Sequence, residues 1–501
     1  MTSKEYYYSM LPESERELFS YLPTINELVA LAKERYADEL ALDGLAGPMT
    51  YRELLDKVAA LRGYFRDLGI ERGRHIGFQL PNNATAAALF LAITTYGCVA
   101  VPFPMTMAGE ELGDNLKKMD ISLFLYADML EQRLKLSVLP EGMLVKKESE
   151  IAPSAPAEQA QNEKDTPAAI FFTGGTTGKS KGALLSHGAL MRGAFNGIFA
   201  PAPALKQRYL AIIPFSHVFG VVRNLLTCFY TGSMLYTCED MRAVVSILPK
   251  AKPSLLVLVP ALADLLLGLA TMRGVEALGG NLKLIICGAA QVPEHLVFRY
   301  RALGVTLCPG YGMTETANLV SGNGIAEQKP TSVGMPYPEQ EVRIVDEEIR
   351  VRGDHLMLGY YNDPEETANV FEDGWIKTGD LGRFDEDGFL YITGRSKNII
   401  VLPNGENVSP EELELALVRI PLIKDALVRE RILDGNKHVL EAEVLPNMPA
   451  CQKMGITDVE GAIRKAINEL NGTLPPYKVM SEIVFRTEDF PRTPSMKIVR
   501  N

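Results

Sequence analysis

Between residues 50 and 310, short β-rich runs alternate with longer helical patterns. HIGFQL is followed by NNATAAALFLAITTYG, RYLAII by HVFGVVRNLLTCF, and LKLIIC by PEHLVFRYRAL. A strand that returns through a helix emerges parallel to its predecessor, so this rhythm predicts a parallel sheet flanked by helices. The predicted fold class is α/β, with doubly wound βα subdomains in a large N-terminal part. The run 254–270, SLLVLVPALADLLLGLA, is interrupted by Pro260 and Asp264 and is marginal in length for a membrane span. It predicts a buried strand followed by a helix that opens near Pro260.

The stretch 146–166, KKESEIAPSAPAEQAQNEKDT, is rich in Ala, Pro, Glu and Gln and has no periodicity. It predicts a solvated surface connection separating two subdomains. From Val342 the texture changes to short strands and tight turns, as in VRIVDEEIRVRG and FDEDGFLYITG, which predicts a β-rich subdomain. After Gly394, Ser409 and Pro410 fit an N-cap and first helical position ahead of an acidic first turn. A small α+β domain of residues 396–501 is predicted after a large domain of residues 1–395, each within reach of its own core.

With 501 residues, 47% of them hydrophobic, the chain can bury two or three domain cores. Its 51 basic against 62 acidic side chains leave a formal charge of −11, which repels polyanions and argues against a nucleic-acid partner. Cys98, Cys228, Cys238, Cys287, Cys308 and Cys451 form no CxxC and no Cys/His metal spacing, as expected of reduced thiols in a cytoplasmic enzyme. The opening MTSKEYYYSMLPESERELF is polar and acidic where an export signal needs a basic start and an apolar run. No transmembrane segment is expected.

Three segments carry chemistry. AIFFTGGTTGKSKG, residues 169–182, runs from an apolar strand into a loop of Gly, Thr and Lys that offers N–H groups, hydroxyls and ammoniums to a polyphosphate. It is not a Walker A loop, because Thr173 stands where the first glycine is required. In CPGYGMTETAN, residues 308–318, Gly310 and Gly312 flank Tyr311, while Thr314 and Glu315 supply a hydroxyl and a hard oxygen ligand for Mg²⁺. In GWIKTGDLGRFDEDGFLYITGRSKN, Asp380 and Arg395 sit fifteen residues apart around a predicted hairpin. Such a pair suits a ribose, and equally a surface salt bridge.

In combination and order these segments resemble the adenylate-forming superfamily of acyl-CoA synthetases, adenylation domains and luciferases. The resemblance runs from about Met49 to the C-terminal end and includes GRSKNII, similar to the family's hinge, and PRTPSMKIVR, similar to its catalytic-lysine segment. It implies that Thr173, Gly174, Gly175, Thr176, Thr177 and Gly178, with Lys181, hold the β- and γ-phosphates of ATP. It implies that Tyr311 stacks on adenine beside Gly288, Ala289 and Ala290, that Ile392 packs near the base, and that Asp380 takes the ribose hydroxyls with Arg395 assisting. Thr314 would touch the α-phosphate and Glu315 bind Mg²⁺. Lys397 occupies the hinge position of a mobile C-terminal domain, and Lys497 that of the lysine completing the first half-reaction. Gly174, Ser180 and Met496 depart from the residues common in the family, changes expected to loosen the loops or slow the enzyme, and the short IVDEEIRVRG hairpin removes no catalytic group.

The implied reaction couples a carboxylic acid to a thiol through an acyl-adenylate, using ATP, Mg²⁺ and coenzyme A or a carrier protein's phosphopantetheine arm. PFSHVFGVVRNLL, residues 214–226, resembles the family's acyl-pocket segment, with His217 as gate residue. No acidic residue lies between Pro214 and Val222, which disfavours an amino-acid substrate. The apolar Val218, Phe219, Val221 and Val222 suit an alkyl or aryl group, and a core helix would read the same way. LPNGENVSPEELE is more like fatty-acid relatives than aryl ones, so a fatty acid is the favoured substrate. The alternatives are an acyl-AMP ligase loading a carrier protein, a non-catalytic nucleotide-binding module and a luciferase-type oxidation.

Overall fold

The computed structural model describes residues 1–134, 139–152, 154–173, 180–403, 406–433, 437–492 and 498–500. Two large sheets make up its centre. In the first, five parallel strands run in the order Pro167–Thr173, Val99–Pro102, His75–Gln79, Ile121–Tyr126, Leu144–Lys147, and Lys181–Ser186 and Gly359–Tyr360 extend the Pro167–Thr173 side antiparallel. In the second, Thr306–Tyr311, Leu284–Cys287, Leu255–Leu258, Arg208–Ala211, Met234–Thr237 and Leu40–Asp43 are mutually parallel, with short antiparallel strands at both edges. Helix Ala84–Tyr96 is capped by the Asn83 side chain and closed by Gly97 at φ 89°. It is apolar all round because both its faces are buried.

The predicted strand and helix around Pro260 are Leu255–Leu258 and Pro260–Arg273, with the proline in the first turn, where its missing N–H costs no hydrogen bond. Among the described residues no helix is long and apolar enough to cross a membrane. All six cysteines are free and buried. The hairpin of Glu341–Val345 and Glu348–Arg352 turns at Asp346 and Glu347, whose φ of 50° and 64° match the twist of the strands they join. Trp375–Phe384 pairs on with Leu390–Arg395 as the DEDG turn predicts. A separate apolar core, built around Val408, Leu413, Val428, Ala442, Ile463 and Met480, lies under the sheet of Ile423–Leu433, Lys437–Pro446 and Met480–Phe485.

Two expectations change. The stretch 146–166 does not separate subdomains, since the strands on either side of it, Leu144–Lys147 and Pro167–Thr173, belong to the same sheet. It is the surface connection expected, with Ala160 the one buried residue among those described, and it is fastened to the helices: Ala157 and Ala160 donate their N–H groups to the carbonyls of Ala59 and Thr95 at 3.1 and 2.8 Å, and Asn162 donates to Asn26 and the Thr94 carbonyl. Helix carbonyls thus satisfy two of its backbone N–H groups. Ser409 does precede helix Pro410–Val418, but its hydroxyl makes no cap. It donates to the Thr393 carbonyl at 2.8 Å and so ties the helix to the strand leading into Lys397.

Candidate active site

The parallel strands Leu284–Cys287 and Thr306–Tyr311 end side by side, and the segments that follow them meet at the carboxyl edge of the sheet, where open α/β sheets place their ligands. A Cβ on Gly288 would stand 3.1 Å from the Gly310 carbonyl and 3.7 Å from the Phe219 ring, and Ala289 has a left-handed φ of 65°. Gly312 admits no side chain at all, because its Cβ would lie 1.6 Å from the Asn318 carbonyl oxygen. Ala317 and Asn318, at φ 45° and 85°, turn the chain back so that Ser321–Gly322 pairs antiparallel with Gly310 and Tyr311. Glycine at 312 is thus dictated by close backbone approach.

Tyr311 and Asp380 meet across this edge. The phenol donates to Asp380 Oδ2 at 2.8 Å, and Arg395 Nε donates to Oδ1 at 2.6 Å. Asp380 and Arg395 are register partners in adjacent strands, which explains how fifteen intervening residues leave them in contact. The carboxylate is buried, and its backbone N–H is held by Thr378 Oγ1 at 3.1 Å. Burial, reinforced by the Asp380 charge, pushes the Tyr311 phenol well above its ordinary range, so it remains a donor. Ile392 packs with Tyr311 against Val320, Ile349, Val351 and Leu390.

A second group of charges surrounds Glu315. Thr314 opens a single tight turn, Thr314–Thr316, and its carbonyl accepts the Ala317 N–H at 3.2 Å. Glu315 is only 8% exposed; Tyr360 donates its phenol to Oε1 at 2.7 Å, and Met357 donates its N–H to the Glu315 carbonyl at 2.8 Å. Lys181 is paired with Glu366 and lies 5.1 Å from the centre of the Tyr360 ring. Thr173 is the register partner of Lys181. The expected phosphate-loop residues Gly174, Gly175, Thr176, Thr177 and Gly178 lie outside the described residues, and so does Lys497. Among the described residues no three His, Cys, Asp or Glu side chains gather as a metal cage. A magnesium ion held through Glu315 would draw its remaining ligands from phosphate oxygens and water, as this ion does beside nucleotides, so the donor set fits.

His217 is half-buried at the start of the predicted helical segment. Its N–H donates to the Pro214 carbonyl at 3.0 Å, its Nδ1 accepts from Phe219 N–H at 3.2 Å, and its carbonyl accepts from Gly220 and Val221 at 2.9 and 3.2 Å. The helix that follows, Gly220–Leu226, is a π-helix. Val218, Phe219, Val221 and Val222 are all buried, and Val222 lies close to Gly193 of helix His187–Asn196. Lys397 sits in the turn Ser396–Asn398. Burial lowers its ammonium, Arg395 and Lys181 push the same way, and Asp380 and Glu411 oppose them, so Lys397 feels the charges of both groups.

Sequence reasoning had no reading for Tyr360, Glu366 or Arg223. The first two lie within GYYNDPEET, whose Gly359–Tyr360 strand pairs with Lys181–Ser186 and so carries the phenol to Glu315 and the carboxylate to Lys181. The aromatic pair beside a Pro-Glu helix start was the available signal.

Mixed sheets, a glycine-walled strand edge and a separate C-terminal core make this the architecture of the adenylate-forming enzymes. A sequence model of the AMP-binding enzyme family matches residues 29–361, more than half of the chain, and the chain belongs to that family. Among curated relatives it is 29% identical over 486 residues to an indoleacetate–CoA ligase of Aromatoleum aromaticum, covering 90% of this chain and 91% of the relative. It is 25% identical over 536 residues to a long-chain-fatty-acid–CoA ligase of Bacillus subtilis, covering 95% and 93%. Among solved structures, an anthranilate CoA ligase in complex with anthranoyl-AMP superposes with a TM-score of 0.85 at 20% identity, covering 100% of this chain and 97% of that one. The o-succinylbenzoate CoA synthetase of Bacillus subtilis, in complex with its acyl-adenylate, does so with a TM-score of 0.81 at 21% identity, covering 96% and 98%.

Proposed function

We propose that the protein is an ATP-dependent acid–thiol ligase that makes an acyl-CoA in two steps. The observation that carries this reading is the Tyr311–Asp380–Arg395 network at the carboxyl edge of the sheet, in a chain of the AMP-binding family. Tyr311, anchored through its hydroxyl, offers its ring to the adenine above the Gly288, Ala289 and Ala290 turn, and Asp380 and Arg395 address the ribose.

In the first step a carboxylate oxygen of the acid attacks the α-phosphorus of ATP, an acyl–phosphate bond forms and pyrophosphate leaves. The difficulty is electrostatic, since two anions meet while charge grows on the leaving group. Lys181 meets that charge at the polyphosphate, Thr314 donates to the α-phosphate, and Lys497 bridges the acid and the α-phosphate. A magnesium ion bound through Glu315 supplies further charge neutralisation when present. In the second step the coenzyme A thiolate attacks the acyl carbonyl carbon and AMP leaves. Residues 396–501 act as a domain turning about Lys397, which withdraws Lys497 and brings residues 404–407 to the pantetheine channel; of these, 404 and 405 lie outside the described residues. His217 borders the entry of the acid.

The curated relatives named above are CoA ligases, which supports free coenzyme A over a carrier protein as acceptor. Their acids are aryl in one case and long-chain in the other. The sequence favours a fatty acid, yet Val221 and Val222 are spent in core packing, so the helix after His217 offers less apolar lining than its sequence suggests. A panel of carboxylic acids assayed for pyrophosphate release, with and without coenzyme A, tests the reading. Acid-dependent pyrophosphate and AMP with a CoA thioester are expected. Pyrophosphate release without any thioester points to a carrier protein, and no acid-dependent release defeats the proposal.

A further inference from the structure

Arg223 is the largest fully buried side chain among the described residues, 1% exposed. It lies in the π-helix Gly220–Leu226 that follows His217, and it lines a small cavity whose walls also include Phe199, Cys308, Gly310, Leu319 and Tyr337. Gly310 is shared with the nucleotide edge, so the cavity lies directly behind the glycine that carries Tyr311. Glycine at 322, another wall residue, keeps the space open, since a Cβ there would come within 2.7 Å of the Tyr337 hydroxyl.

A guanidinium is always charged and brings five N–H donors. Among the described residues Arg223 donates from Nη1 to the Gly197 carbonyl, its Nε has no partner, and no carboxylate pairs with it. Its charge instead acts on Tyr337 and Cys308, where it pulls against the upward push of burial. A buried cation left without a counter-charge is costly, and a carboxylate offers the two oxygens that a guanidinium fork is shaped to engage. A long alkyl tail would bury apolar surface against this cation and leave it unpaired.

We infer that this cavity seats the far end of the acid and that this end carries a second carboxylate, paired with Arg223. The inference rests on the acid-activating function proposed above and narrows its substrate class from fatty acids in general to dicarboxylic acids. One carboxylate is activated at the nucleotide edge while the other is held behind Gly310. The apolar residues between them accommodate the connecting carbons.

The test compares α,ω-dicarboxylic acids of increasing length with their monomethyl esters and with monocarboxylic acids of equal carbon number, by pyrophosphate release with coenzyme A present. At one chain length the wild-type protein should use the diacid at least about tenfold better in kcat/KM than its monoester, the size expected of hydrogen bonds to a charged group. Arg223→Met, of similar volume and uncharged, should abolish that preference through KM, while adenylation of monocarboxylic acids survives. If monocarboxylic acids and monoesters are used as well as diacids at every length, or if Arg223→Met keeps the preference, the inference is wrong and the ligase reading stands. If no acid of any kind supports release, both fall. The diacid-to-monoester ratio of the unmutated protein decides the matter even if Arg223→Met does not fold.

Discussion

The nucleotide edge and the charged group around Glu315 are built on opposite plans. At the first, Tyr311, Asp380 and Arg395 are locked by strand register and backbone packing, with Asp380 buried and both its oxygens occupied. At the second, Lys181 is paired with Glu366, whose side chain is 39% exposed, so that water screens the pair and it is readily exchanged. On the function proposed above, a rigid receptor for the nucleoside beside a cation that can change partners is what a reaction needs when it keeps one half of ATP and expels the other. The difference predicts that substitutions at the nucleotide edge damage both structure and binding, whereas those at the second group tune metal and phosphate handling.

The largest effect is expected from Asp380→Ala, which strips the partner from Arg395 and Tyr311 together. KM for ATP should rise about 10²-fold as hydrogen bonds to a charged group are lost, and denaturant unfolding should show a loss of about 1–3 kcal/mol. A variant of normal stability with normal ATP affinity would break the contrast. Glu315→Gln should come next, raising the Mg²⁺ concentration required for half-maximal rate without changing KM for the acid. Coincident Mg²⁺ titrations of the variant and the wild-type protein would remove Glu315 from the metal site. Tyr360→Phe should do the same more weakly, by about three- to tenfold, because it deletes only the hydroxyl that orients Glu315. The smallest change belongs to Glu366→Gln: freeing Lys181 should lower KM for ATP by no more than about fivefold, in keeping with a half-exposed ion pair. A large loss would mean that Glu366 positions Lys181 instead of competing for it.

Much of this was legible because the chemistry is written in short segments. Strand-then-helix alternation announced parallel sheet flanked by helices, though not its division into two, Pro260 marked its helix start, and DEDG its turn. The closeness of Asp380 and Arg395 followed from a hairpin whose turn lies between them. Tyr360 was not legible for the opposite reason. It reaches Glu315 across 45 residues through a two-residue strand laid against Lys181–Ser186, a pairing no local pattern announces. Residues 146–166 are the exposed connection their composition suggests, but they misled as a boundary, because composition says nothing of the sheet to which the flanking strands belong. Arg223 was hidden in a helical run that is otherwise apolar except for Asn224, where periodicity reports burial and says nothing of a missing counter-charge.

The account's central claim is that an acyl-adenylate forms before coenzyme A is needed. Acid-dependent exchange of labelled pyrophosphate into ATP, measured with no thiol present, tests it directly. Exchange should occur with a substrate acid and should fall by about 10²-fold or more in Lys497→Ala, the size of losing one preorganised charge-stabilising group. The same variant should still make thioester from supplied acyl-adenylate. Exchange that appears only when coenzyme A is added, or that persists undiminished in Lys497→Ala, would contradict the account.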